Sequence, residues 1–175
     1  LGSIGENDIT SPTPLLVSAF LQASADTTHT GIQDLDASPV MGIAVTGSTI
    51  AATGKWQYSA NGSSWTDLGS VSTGSALLLT PAYSIRFLPD GLEGGSATLT
   101  YLAWDQTSGS AGSRVNTAVN ATQTSAFSIA SDTLAITVTP VNDAPTLTGL
   151  AGDSVTATED TTLSFSGDNR LTLAD

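Results

Sequence analysis

The chain has 175 residues and is 39% hydrophobic, which is enough for one well-filled core and argues against general disorder. Sixteen acidic residues against four basic ones give a net charge of −12, and Lys55, Arg86, Arg114 and Arg170 are scattered, so there is no basic patch to bind nucleic acid. Cysteine is absent, which excludes disulfides, thiolate zinc sites and cysteine nucleophiles; no apolar run approaches the ~20 residues of a membrane-spanning helix.

In chain order, the first periodic element is helical. Leu15, Leu16, Ala19 and Phe20 fall at helical spacing, with Thr13 as a cap and Pro14 at the first helical position. This predicts one short helix near residues 14–22. The apolar run 14–21 is too short for a signal peptide and lacks a basic flank, so any export signal is expected outside these residues.

From there on the pattern is β. Lys55–Ser59 and Trp65–Leu68 read as a hairpin around Asn61-Gly62. Residues 76–80 form a short apolar run, and Tyr83 to Phe87 alternate with period two. Ala97, Leu99, Tyr101 and Ala103 share one strand face, with Thr98, Thr100 and Leu102 on the other. Trp104 is opposite Tyr101 in register, so one of these two rings is expected to be less buried. Residues 105–126, rich in Gly, Ser, Asn and Thr, are expected to form a long loop or ragged hairpin. Leu134, Ile136 and Val138 alternate with Ala135, Thr137 and Thr139 in a strong strand. Gly and Pro punctuate the runs at intervals of roughly ten residues, the rhythm of a β-sandwich.

A boundary follows. Pro140 and Pro145 bracket Asn142-Asp143, and proline cannot continue a ladder. The organisation expected is a sandwich over residues 1–140, a linker over 141–145, and the first strands of a truncated second repeat over 146–175. Those last residues are too few for a core of their own. Strand-like pieces at 154–158 and 161–166 therefore need a partner, either an edge of residues 1–145 or a neighbouring copy of the chain. Thr156–Asp160 also parallels Ser3–Asn7, a weak internal repeat.

The acids carry the functional signal. Only Glu6, Glu93 and Glu159 are Glu; the other thirteen are Asp, set among Gly, Asn, Ser and Thr, which suggests acids in turns and loops. Such residues serve solubility and turn formation, or they supply oxygen ligands to Ca²⁺.

The run Val138-Thr139-Pro140-Val141-Asn142-Asp143-Ala144-Pro145 resembles the inter-repeat junction of bacterial cadherin-like and immunoglobulin-like tandem repeats in large extracellular adhesins of the RTX type. Gly54–Ser59, Ile85–Gly91 and Leu99–Asp105 look like one subtype of these repeats. No Gly-Gly-x-Gly-x-Asp nonapeptide is present, so the calcium β-roll of such proteins is absent from this sequence. The resemblance implies an all-β Greek-key sandwich, extracellular location, Ca²⁺ near repeat junctions and neighbouring repeats as partners. Position by position, it implies Asn142 and Asp143 as junction ligands and Glu6 as the acid after the first strand, with Asn7 standing where relatives carry Asp. Asp34 and Asp36 match an Asp-x-Asp pair, Asp105 a loop acid after the strand, and Glu159, Asp160 and Asp175 repeat the set in the second repeat. Each of these has a plain alternative as a turn or cap residue.

Catalysis finds little support. His29 is the sole histidine, in a polar segment, and no Gly-x-Ser-x-Gly elbow accompanies the many Ser and Asp residues. No enzymatic role is expected. The competing reading is a carbohydrate-binding sandwich using Trp56, Tyr58, Trp65 and Trp104 as stacking platforms, against core packing of the same rings. The leading expectation is a structural and adhesive module, open to homo-assembly through the 146–175 tail.

Overall fold

The computed structural model describes residues 2–23, 41–118, 126–144, 146–148, 159–160 and 172–174. The chain divides into two units, Leu1–Val141 and Asn142–Asp175.

Among the described residues, the regular elements of the first unit are almost all strands: β1 (Ser3–Gly5), β2 (Leu15–Leu16), β3 (Gly42–Ile50), β4 (Gly54–Ser59), β5 (Thr66–Asp67), β6 (Ala76–Leu79), β7 (Ser84–Pro89), β8 (Gly95–Trp104), β9 (Arg114–Val115) and β10 (Phe127–Thr139), with one helix, α1 (Val17–Ala23). They form a six-stranded sheet in the order β1-β10-β8-β3-β6-β9 and a four-stranded sheet in the order β2-β7-β4-β5. All pairings are antiparallel except β1 with β10, which is parallel. The chain changes sheet between β1 and β2, β2 and β3, β3 and β4, β5 and β6, β6 and β7, and β7 and β8.

The period-two faces meet as the residue types dictate. Ile43, Val45, Leu77, Leu79, Ala97, Leu99, Tyr101, Leu134, Ile136 and Val138 from the larger sheet share one core with Trp56, Ile85 and Phe87 from the smaller and Val17 from α1. Fully burying an aliphatic side chain contributes about 1.5–3 kcal/mol, so this shared face is the dominant stabilising feature. Between Ala97 and Ile136, and between Leu99 and Leu134, cross-strand register places apolar residues directly opposite one another.

Two expectations need correction. Leu15 and Leu16 are strand, paired to Ile85 and Ser84, and the helix begins at Val17; edge pairing with β7 wins over their helical spacing. Tyr101 and Trp104 are both buried. A second cluster of Ala44, Ala76, Leu78, Trp104, Ala126 and Phe127 covers the other face of the larger sheet, and the indole N–H of Trp104 donates to Ser108 O at 2.7 Å. Gly42 permits this: a Cβ there would lie 2.9 Å from the Trp104 ring and 2.8 Å from Leu79 O. The 105–126 segment is mostly loop among its described residues, as expected, with one two-residue strand, β9. β9 pairs with β6 because Arg114 donates to Ser70 O at 2.7 Å and also reaches Leu68 O, tying the segment to the 68–75 loop.

The hairpin around Asn61 is present, with Gln57 opposite Asp67 and Tyr58 opposite Thr66. Its turn is wider than two residues: Asn61 Oδ1 accepts from the N–H groups of Ser63 and Ser64, and Gly62 adopts φ +71°.

In the second unit, β11 (Thr146–Thr148) pairs antiparallel with β12 (Thr172–Ala174), Leu147 opposite Leu173. This pairing joins the two ends of the tail to each other. Residues 154–158 and 161–166 lie outside the described residues.

Candidate functional site at the linker end of the first unit

The last residues of β10 run into Pro140 and Val141, and β1 runs beside them. Ser3, Ile4 and Gly5 pair with Thr137, Val138 and Thr139, and the Glu6 N–H donates to Thr139 O at 3.1 Å. This extended pairing drives the Glu6 side chain inward, where it is 1% exposed. Its Oε1 accepts a hydrogen bond from the N–H of Val141. One carboxylate thereby fixes the point at which the chain leaves the sheet.

The surroundings are polar and tight. Asp8 Oδ2 accepts from Gly5 N–H at 2.9 Å, and the Asp8 N–H returns to Gly5 O at 3.1 Å, closing the turn after β1. The 90–95 loop packs against the same end. A Cβ at Gly94 would lie 2.6 Å from the Pro140 ring, so only glycine allows proline this close. Asn7 Oδ1 lies 3.4 Å from the Cβ position of Gly91.

The remaining acids are dispersed. Asp105 closes its own turn, accepting from the N–H and hydroxyl of Thr107 at 2.8 and 2.7 Å. It follows Trp104, whereas Gly95 at the other end of β8 pairs with Val138; at ~3.3 Å per residue, Asp105 and Glu6 are about 30 Å apart. Asp34, Asp36 and Asp175 lie outside the described residues. In the second unit, Asn142 Nδ2 donates to Asp143 O at 3.2 Å, Asn142 is exposed and Asp143 half-buried. Glu159 and Asp160 occupy an exposed turn, with Asp160 in the left-handed region at φ 64° that Asp tolerates. Among the described residues, no three of His, Cys, Asp and Glu converge as a metal site would require.

The aromatic residues sort differently from a stacking platform. Trp56 and Trp104 are buried, and Tyr58 stacks on Tyr83 with ring centres 6.4 Å apart. Trp65 is half-buried beneath the guanidinium of Arg86, 4.1 Å from its ring centre. Sequence reasoning named Trp65 but missed the polar network around it, which depends on strand register: Gln57 pairs with both Arg86 and Asp67.

Neither a family model, nor a curated protein, nor a solved structure matches the chain.

Proposed function

We propose that the chain is a structural and adhesive repeat module of a long extracellular bacterial protein of the cadherin-like kind, a Greek-key sandwich stabilised by Ca²⁺. The observation that supports this best is the direction of its terminal strands. With β1 parallel to the last residues of β10, the chain runs in the same direction at its entry along β1 and at its exit after β10. Concatenated repeats need that polarity. The prolines at 140 and 145 then separate the unit from a second one of its own pairing.

Burial of Glu6 supports the ion. A carboxylate removed from water is costly unless compensated, and here the described protein donor is one main-chain N–H in a chain of charge −12. A divalent cation beside it would offset that cost, drawing the rest of its six to eight oxygens from main-chain carbonyls and neighbouring side chains. The ion proposed here is the one beside Glu6; Asn142 and Asp143 are assigned as oxygen donors within the second unit by the resemblance of the junction run alone. The partners proposed are neighbouring repeats of the same polypeptide.

Melting the chain in millimolar Ca²⁺ and in excess chelator tests this. Ca²⁺ should raise Tm by mass action on the folded state, and Glu6→Ala should abolish the increment. Superimposable wild-type curves would refute the ion.

A further inference from the structure

A second constellation lies on the outer face of the four-stranded sheet, and the module reading does not depend on it. Register sets Arg86, Gln57 and Asp67 in one row across β7, β4 and β5. Asp67 is held from two sides, its Oδ2 accepting from Lys55 Nζ at 2.8 Å and its Oδ1 from Gln57 Nε2 at 2.7 Å. Those two donors hold its carboxyl below the usual carboxylate range, so it is ionised at neutral pH. Gln57, only 7% exposed, then has a single orientation, and its Oε1 accepts from Arg86 Nε at 2.9 Å. Trp65 supports one face of the guanidinium at 4.1 Å.

Each other described cation is committed. Lys55 is paired with Asp67, and Arg114 is spent on the carbonyls of Leu68, Ser70 and Ser75. Arg86 differs: its Nε and its π face are fixed, while its two terminal nitrogens have no hydrogen-bond partner among the described residues. The result is a planar fork of donors, oriented in advance by a nine-tenths-buried amide. Immobilising a guanidinium normally costs side-chain entropy, and here the network has already met that cost before any ligand arrives.

We propose that the Arg86 fork, seated on Trp65 and Gln57, is a binding site for the carboxylate of a sparsely charged ligand. A carboxylate matches the two terminal nitrogens through parallel N–H···O bonds. Density of charge is the discriminator: a chain of net charge −12 repels polyanions at long range, so a single carboxylate on a neutral body is favoured over a run of them. Sugar acids and acidic amino-acid side chains share this chemistry.

The test is a titration of the full chain followed by the indole N–H resonances, with glucuronate and N-acetylaspartate amide as carboxylate probes and glucose as the neutral control. The buried indoles of Trp56 and Trp104 serve as internal references. A carboxylate should shift the Trp65 resonance saturably with a Kd on the order of millimolar, and glucose should not. The tighter of the two carboxylates identifies the source. Arg86→Gln should weaken binding at least about tenfold, and Arg86→Lys, which keeps the charge but loses the fork, should weaken it nearly as much. Absence of any saturable Trp65 shift with either carboxylate overturns the proposal, as does an equal shift in wild type and Arg86→Lys.

Discussion

The core contains one imperfection that makes it testable. Trp56 is 3% exposed and meets Phe87 edge-on, ring centres 5.3 Å apart at 71°, but its indole N–H has no acceptor among the described residues. Truncation to alanine removes the whole ring from a packed interior, at about 3–5 kcal/mol. That is a large share of the ~5–15 kcal/mol by which domains are stable. Replacement by phenylalanine should behave differently. It forfeits about three heavy atoms of packing, ~2 kcal/mol at the usual increment per buried carbon. It also deletes an unsatisfied buried donor, which returns ~1–3 kcal/mol. Trp56→Phe is therefore expected within ~1 kcal/mol of wild type. Urea unfolding followed by far-ultraviolet circular dichroism measures both variants, read at constant m so that only the native state is compared. Should Trp56→Phe cost as much as Trp56→Ala, the indole N–H has a partner in solution and the reasoning fails.

Other outcomes follow from single contacts. The Tyr101 hydroxyl donates to Asp132 Oδ2 at 3.0 Å, and burial together with that carboxylate pushes its phenol well above the usual value of 10.0. The neutral phenol's contribution is complete below pH 10 and is lost as pH rises towards the folded value, so stability should fall in alkali and Tyr101→Phe should flatten that fall in melts across pH 9–12. Arg114→Lys cannot span the carbonyls of Leu68, Ser70 and Ser75 and should cost ~1–3 kcal/mol in urea titrations, whereas a change below ~0.5 kcal/mol would deny the clamp. Without metal, Glu6→Ala should lower stability by ~1.5–3 kcal/mol and Glu6→Gln, which keeps an acceptor for Val141, by less; the reverse order would contradict the contact.

What could be read in advance was what is local. Leu134, Ile136 and Val138 alternate with exposed neighbours, and of residues 134–139 the structure buries just those three. The turn at Asn61 and the end of the first unit near Pro140 were likewise legible, because proline and Asx residues act on their own backbone. Burial of both Tyr101 and Trp104 was not legible, since the cover of Trp104, Ala126 and Phe127, comes from beyond a polar segment. Glu6 was picked out as an acid by resemblance, but nothing in the sequence ties it to Val141, 135 residues away. The Arg86–Gln57 contact spans 29 residues and exists only once β4 and β7 are in register. Sequence reports periodicity along a strand well and says little about which strands become neighbours.

The parallel placement of β1 against β10 also decides how the unit meets tension. Pulling Gly2 and Val141 apart along the strands loads the Gly2–Thr137, Glu6–Thr139 and Glu6–Val141 hydrogen bonds together, in shear. An antiparallel terminal pair would open like a zipper, one bond at a time. Sliding requires the whole set to break at once, so rupture resists until a threshold and then occurs abruptly. Since the carboxylate of Glu6 belongs to that set, the residue that fixes the chain's exit also helps set the load at which the unit gives way.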